Sequence, residues 1–201
     1  MTRPMRYATR QRGIAAVEFA LILPILLMLL FGMIDAGRAL QANIIMVNIG
    51  REGANMVARG NTPLETGSQD IIYMLMASAP PLDVNKRGMV YITRVMGVTS
   101  GGVSRSVVLD QYRWDDAARG LGYRFSKYEP ASKVYGCTAW NAAACTSISS
   151  KTRPATTIMS GKLADGEVVH VVETFYDFDM LVADKFNVSA FGPDLYSMTI
   201  F

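Results

Sequence analysis

Residues 12–40 have the sequence RGIAAVEFALILPILLMLLFGMIDAGRAL, and this stretch determines how the remainder of the chain is arranged. From Ile14 to Ile34 every residue is apolar, glycine or proline, with the exception of Glu18. A helix of this length spans roughly 31 Å, about the hydrocarbon thickness of a bilayer. Since Ala, Leu, Ile and Met dominate the stretch and favour helix, it predicts a transmembrane helix.

The charges that flank this stretch predict its orientation. Asp35 and Arg38 together follow the apolar run, whereas the charged residues that precede it are all basic. By the positive-inside rule the N-terminus stays in the cytoplasm and residues after about 38 lie outside. The preceding basic residues are Arg3, Arg6, Arg10 and Arg12.

A cleaved secretory signal is the first alternative for the apolar run. The run is longer than the hydrophobic region of an ordinary signal peptide, which has about 7–15 residues. Its end, residues 31–34 followed by Asp35, contains no small-x-small cleavage site. The sequence therefore favours a retained membrane helix.

Glu18 is the most informative residue of the run. A carboxylate in a membrane helix costs about 2–3 kcal/mol on insertion scales, so it usually has a partner and a role. Position alone is also compatible with a side chain that snorkels to the interface. The neighbours favour a role, because Gly13 follows the basic segment, Glu18 lies five residues beyond it, and Phe19 comes next.

The pattern formed by Gly13, Glu18 and Phe19 resembles the Gly-x4-Glu-(Phe/Tyr) processing signature of type IV pilin-like precursors, in its Tad/Flp variant. The whole stretch from 12 to 40 resembles the TadE-like minor pilins of the tight-adherence pilus. The resemblance implies that a prepilin peptidase cuts between Gly13 and Ile14. Residues 1–13 would then be a cytoplasmic leader, 14–38 the transmembrane helix, and 39–201 an extracytoplasmic globular domain.

The same resemblance implies roles and partners. Glu18 of one subunit would meet the new amino terminus at Ile14 of a neighbour, and the pair would set the axial register. Pro24 is expected to kink the helix or to weaken it locally, although membrane helices also tolerate proline without a function. The implied partners are the prepilin peptidase, other minor pilins, the major Flp pilin and the pilus assembly platform of the bacterial inner membrane.

The helix is predicted to continue beyond the membrane to about residue 59. Polar residues recur at helical spacing on one side, and apolar residues lie mostly on the other. The polar set is Gln41, Asn48, Glu52, Asn55 and Arg59, and the apolar set is Leu40, Ile44, Val47, Ala54 and Val57. The second half of the helix is therefore expected to pack its apolar side on the globular domain.

The rest of the chain predicts a second helix and several strands. The helix runs from Thr62 to the Pro80-Pro81 pair. Strands are expected at 89–98 and 106–114, joined as a hairpin, at 167–178, and at 187–191 with a tail at 195–201. The fold class is thus α+β, a long N-terminal helix packed on a small antiparallel sheet, which is also the layout of pilins.

Cys137 and Cys145 lie in an irregular segment rich in Ser, Thr, Ala and Gly, at about 115–165. In an extracytoplasmic domain a disulfide that closes a small loop is expected. Unpaired thiols are the alternative.

Composition gives little support for catalysis, metal binding or nucleic-acid binding. The chain has one histidine, His170, and no Gly-x-Ser-x-Gly sequence, so no catalytic residue or cofactor is predicted. Asp177 and Asp179 lack the ligand spacing of a calcium loop and are interpreted as turn carboxylates. The net charge of +3 comes largely from the N-terminal arginines, which is not typical of a nucleic-acid surface.

The resemblance thus implies a structural pilus subunit that helps to initiate or cap assembly for surface adhesion. Two alternatives remain at this point. One is a pseudopilin of a type II-like secretion system. The other is an unprocessed membrane-anchored domain with a binding or enzymatic role outside the cytoplasm.

Overall fold

The computed structural model describes residues 11–59, 64–77, 79–114, 128–151, 153–180 and 194–201. It contains a long N-terminal helix packed on an antiparallel sheet, which confirms the predicted α+β class. The helices are α1 (Gln11–Arg59), α2 (Leu64–Ala77) and α3 (Val84–Arg87). The strands are β1 (Gly88–Ser100), β2 (Val103–Arg113), β3 (Trp140–Asn141), β4 (Ala144–Cys145), β5 (Ala155–Thr156), β6 (Val168–Asp177) and β7 (Asp194–Ile200).

The strands form one sheet in the order β3-β4-β2-β1-β6-β7, and β5 also pairs with β2. All of these pairs are antiparallel. The predicted hairpin is present as β1 and β2, and Gly101 and Gly102 turn the chain with φ of +60° and +81°. Glycine meets such angles without the steric cost that a Cβ brings.

The C-terminal part of the chain completes the sheet. Strand β6 confirms the strand predicted at 167–178 and lies between β1 and β7. The predicted tail at 195–201 is strand β7 and the residue after it. The strand expected at 187–191 lies outside the described residues.

Helix α1 packs on the sheet along its second half, and the predicted apolar face is only partly the buried one, since Ala54 and Val57 are buried as predicted. Leu40 and Ile44 were expected to be buried and are instead 66% and 61% exposed. The buried face is formed by Ala42, Met46, Ile49, Ala54 and Val57. The prediction for Leu40 and Ile44 is therefore wrong, because apolar residues lie on both sides of this part of the helix and periodicity alone cannot choose between them.

Close packing fixes α1 on the sheet at two glycines. A Cβ at Gly53 would lie 2.9 Å from Leu75 Cδ1 and 3.4 Å from Val172 Cγ1, and one at Gly50 would lie 2.8 Å from Thr199 Oγ1. The absence of a side chain at these positions allows the helix backbone to approach β6, β7 and α2 closely.

Helix α2 ends at Ala77, shortly before Pro80-Pro81, as the prolines predict. Its side chains Ile72 and Leu75 are fully buried in the core. Thr62, the predicted start of this helix, lies outside the described residues.

The opposite face of the sheet carries a buried polar network. Glu173 is fully buried. Its carboxylate accepts hydrogen bonds from Ser132 Oγ, from the Lys133 backbone N–H at 2.8 Å and from Tyr196 Oη at 3.1 Å. Gln111 Nε2 donates to the same serine at 2.9 Å. Because a buried carboxylate is stable only with such donors, the network fixes the segment that leads to the cysteines against the sheet.

Candidate functional site: the exposed helix and its junction with the sheet

The N-terminal half of α1 projects away from the sheet as an exposed apolar rod. Every side chain from Gly13 to Ile34, all of which the structure describes, is exposed. The helix from Gly13 to Val57 is long and apolar enough to cross a membrane. Large apolar side chains that contact no protein core are stable in lipid or against other apolar helices. This half of α1 is therefore the candidate functional surface.

The residues of the predicted processing site lie in the first turns of α1. Apart from the local helix backbone, nothing in the described part of the chain lies within 4 Å of the position that a Cβ of Gly13 would occupy. Ile14 and Phe19 are 63% and 59% exposed, and Glu18 is exposed as well. Since Ile14 and Glu18 are four residues apart, they lie on the same face of the helix. Cleavage after Gly13 and the assembly role of Glu18 stay predictions.

Pro24 lies inside α1, which continues on both sides of it. Proline has no N–H, so the carbonyl of Ala20 loses its partner within the helix. Helix α1 is unbroken at this position, and the local weakening expected at Pro24 stays a prediction.

The exposed rod meets the sheet domain at Asp35. Asp35 is the first buried residue of the described part of α1, at 7% exposure. Arg38 Nη1 lies 3.4 Å from its Oδ1, and the same guanidinium lies 5.4 Å from the centre of the Phe178 ring. Phe178 is buried just after β6. The sheet domain thus begins to contact α1 directly after the apolar run ends.

The two aspartates that follow Tyr176 are paired with an arginine. Arg87 lies 3.2 Å from Asp177 and 3.0 Å from Asp179, measured between nitrogen and oxygen. The sequence predicted turn carboxylates here but gave no indication of this partner, which lies some ninety residues away.

The cysteines form the second feature that the sequence singled out. The structure joins Cys137 and Cys145 by a disulfide with a Cα–Cα distance of 6.0 Å. The bond closes a small hairpin of β3 and β4, which attaches to the sheet where Ala144 pairs with Tyr112. Closing a loop of this length contributes about 2–3 kcal/mol in the chain-entropy account.

Trp140 anchors this hairpin to the sheet. Its ring lies 6.0 Å from the ring of Tyr91 and 4.6 Å from the guanidinium carbon of Arg113. Arg113 in turn lies 3.7 Å from Glu129. Aromatic and cation–π contacts of this kind contribute about 0.5–1.5 kcal/mol each, so Trp140 holds the hairpin against β1 and β2.

Comparison with known proteins adds one finding. Residues 13–55 match the family model described as TadE-like protein. This segment is TadE-like. No curated protein and no solved structure matches the chain.

The TadE-like segment coincides with the candidate site. It begins at Gly13 and ends close to the C-terminus of α1, so it covers both the exposed rod and the helical part that packs on the sheet. The match confirms the resemblance found from residues 12–40 and indicates a component of a Tad pilus. The sheet lies outside the matched residues.

The TadE-like match also bears on the class of protein and its location. The TadE-like family is a structural pilus family, which implies association with other pilus proteins. The long apolar helix of this segment indicates membrane anchoring.

Proposed function

We propose that this protein is a minor pilin of a Tad/Flp-type pilus, cut after Gly13 by a prepilin peptidase, which helps to initiate or cap assembly for surface adhesion. One observation carries the proposal. The apolar run from Ile14 to Ile34, which lies within the TadE-like segment, is an exposed helix that holds a single carboxylate, Glu18, five residues after the glycine that ends a basic segment.

The position of Gly13 supports cleavage at this point. It lies near the start of the described part of α1. Glycine is also about 1 kcal/mol less favourable than alanine in a helix. The backbone on either side of Gly13 therefore unwinds at low cost, and the missing side chain leaves it open to a protease.

Glu18 supports the assembly role. Cleavage creates an α-amino group at Ile14, which is largely protonated at neutral pH. An isolated carboxylate in hydrocarbon is unfavourable, and so is an isolated ammonium. When Glu18 of one subunit meets Ile14 of the next, each neutralises the other, which fixes the axial position of the neighbouring helices.

The sheet domain supports the assignment as a minor pilin and not as the major one. A subunit that only forms the filament needs little beyond its apolar helix, and the major pilins of this pilus are small, as the resemblance implies. This chain adds a domain with its own core, its own disulfide and a buried polar network. The proposal places residues 1–13 in the cytoplasm, 14–38 in the inner membrane and 39–201 outside, before assembly into the pilus.

The test is a substitution at the cleavage site with a matched control. Gly13→Leu should leave a full-length precursor in cells with prepilin peptidase and should abolish incorporation into pili. Gly32→Leu is the control, because Gly32 lies in the same helix and also has nothing within 4 Å of its Cβ position. Immunoblots of membranes and sheared pili measure both. Normal processing of Gly13→Leu would contradict the leader assignment.

A further inference from the structure

The sheet extends beyond the part that α1 covers. Ile92 and Val172 are paired on β1 and β6 where α1 packs, and both are fully buried. Four residues farther along β1, Met96 is paired with Val168, which is 41% exposed. Residues two or four apart on a strand point to the same face. The face that α1 covers at Val172 is therefore open to solvent toward the turn of the β1–β2 hairpin.

This open face lies at the end of the sheet domain farthest from the apolar rod. Arg38 of α1 contacts Phe178, and Gly53 lies against Val172. Between these two contacts α1 rises roughly 22 Å and the strand roughly 20 Å, so β6 runs nearly along the helix. Val168 lies still farther along β6 in the same direction, away from the predicted membrane segment.

Three arginines lie on the open face around Met96. Arg94 precedes Met96 by two residues on β1, and Arg105 of β2 is paired with Val98, so both share the face of Met96. Arg153, just before β5, places its Nη1 3.9 Å from the sulfur of Met96. We call Arg94, Arg105 and Arg153 the distal arginines.

The distal arginines carry more positive charge than the face neutralises. Arg94 forms an ion pair with Asp110 on the neighbouring strand. Arg105 and Arg153 are exposed, and neither forms an ion pair with a carboxylate of the described part of the chain. Two guanidinium groups are therefore available to an anionic partner.

We propose that the distal arginines bind an acidic polysaccharide outside the cell. A planar guanidinium forms two parallel hydrogen bonds with a carboxylate. Met96 and the exposed Val168 lie beside the arginines and offer an apolar surface to the carbon faces of sugar rings. Along β1 the face extends roughly 13 Å from Arg94 to Val98, so it fits a linear polymer with recurring carboxylates better than one small anion.

Other polyanions fit this face less well. Double-stranded DNA is bound by neutralising many phosphates at once, and only two of the distal arginines are available. Single strands are bound by stacking of bases on exposed aromatic rings, and Phe201, on the same face, is already stacked on His170. A lipid headgroup of the anchoring membrane lies at the other end of the sheet domain.

The inference deepens the proposed function, because it names the kind of surface to which the subunit adheres. It rests on that function only for the location outside the cell. Binding by the purified chain requires neither cleavage after Gly13 nor assembly into pili, so the two proposals are tested separately.

Retention of the detergent-solubilised full chain on immobilised polygalacturonate, a linear polymer of uronic acid, tests the inference. The unchanged chain should bind at low salt and be released as salt rises, because exposed ion pairs are screened. Arg105→Gln combined with Arg153→Gln should weaken binding about tenfold. Neutral dextran should retain neither protein.

A matched control separates the face from net charge. Arg51→Gln combined with Lys162→Gln removes the same charge from two other exposed positions and should bind as the unchanged chain does. Since all four side chains are exposed, both double variants should keep the melting temperature of the unchanged chain, which excludes misfolding as the cause of a loss.

Three outcomes would overturn the inference. Absence of retention of the unchanged chain shows that the face binds no acidic polysaccharide. Equal losses in the two double variants show attraction by net charge alone. Tighter binding of double-stranded DNA than of polygalacturonate at the same salt concentration shows that the partner is a nucleic acid. Each of these results leaves cleavage after Gly13 and incorporation into pili unaffected.

Discussion

Glu18 and Asp35 are both carboxylates of the same helix, yet their surroundings differ. Asp35 is buried against the sheet domain with Arg38 beside it. Glu18 is exposed on the apolar rod. The sequence distinguished Glu18 because it interrupts an otherwise uncharged run, but it gave no sign of the burial of Asp35, which depends on contacts with residues such as Phe178.

The proposed pairing of Glu18 with a neighbouring amino terminus predicts that substitutions of Glu18 affect incorporation into pili but not cleavage. Glu18→Ala should be cleaved after Gly13 at close to the normal level and should enter pili much less efficiently. Glu18→Gln, which keeps the shape without the charge, should be equally defective because the ammonium of Ile14 then lacks a counter-ion. Blots of membrane and pilus fractions measure both steps, and full piliation of either variant would contradict the register role.

His170 shows how a structural histidine responds to pH. Its ring stacks on Phe201 with 5.5 Å between ring centres, and it lies near the ion pair of Arg94 and Asp110. Burial lowers the pKa of His170 below 6.5, and the charge of Arg94 lowers it further, while Asp110 opposes the change. The position of His170 has a structural explanation, since its ring packs on Phe201 at the sheet.

The lowered pKa predicts acid sensitivity of the sheet domain. As pH falls through the ordinary histidine range, the unfolded chain binds a proton that the folded chain resists, so stability decreases and the loss is complete below the folded pKa. Between about pH 7.5 and about pH 5.5 the melting temperature should fall, and His170→Gln should reduce that fall. Thermal unfolding of the detergent-solubilised chain measures the slope, and an identical slope in the variant would contradict this assignment.

At the scale of elements, periodicity and turn residues predicted most of the regular structure. Helix α1 continues through its predicted length, and the predicted hairpin is formed by β1 and β2. The short strands β3, β4 and β5 had no recognisable pattern, because each is two residues long and is held by its partner in the sheet. The buried network around Glu173 was also beyond prediction, since Ser132 and Lys133 reach it only in the folded chain.

The close approach of α1 to the sheet predicts that leucine substitutions at two glycines of this helix change the stability of the protein very differently. Gly53→Leu should overpack the contact with Leu75 and Val172 and destabilise the protein by about 1–3 kcal/mol. Gly37→Leu should be neutral or stabilising by up to about 1 kcal/mol, because its Cβ position is open and leucine favours helix.

Chemical or thermal unfolding of the two variants in detergent measures this difference. Equal stability of Gly53→Leu and Gly37→Leu would show that α1 does not pack on the sheet through Gly53.

At the scale of the whole molecule, the two halves of helix α1 lie in different surroundings. The N-terminal half of α1 suits lipid or neighbouring helices, and its second half is part of the core of the sheet domain. Because α1 is continuous, a force or displacement applied to the rod reaches the sheet directly through the contacts at Asp35, Met46 and Gly53. This arrangement suits a subunit that is pulled from a membrane into a filament.

The most direct test of the pilin account is the intact mass and N-terminal sequence of the membrane-extracted protein, from cells with and without prepilin peptidase. The account predicts a chain that begins at Ile14 when the peptidase is present and an uncut chain when it is absent. A chain that keeps the basic segment through Gly13 in both cell types would contradict it, and the protein would then be a plain membrane anchor.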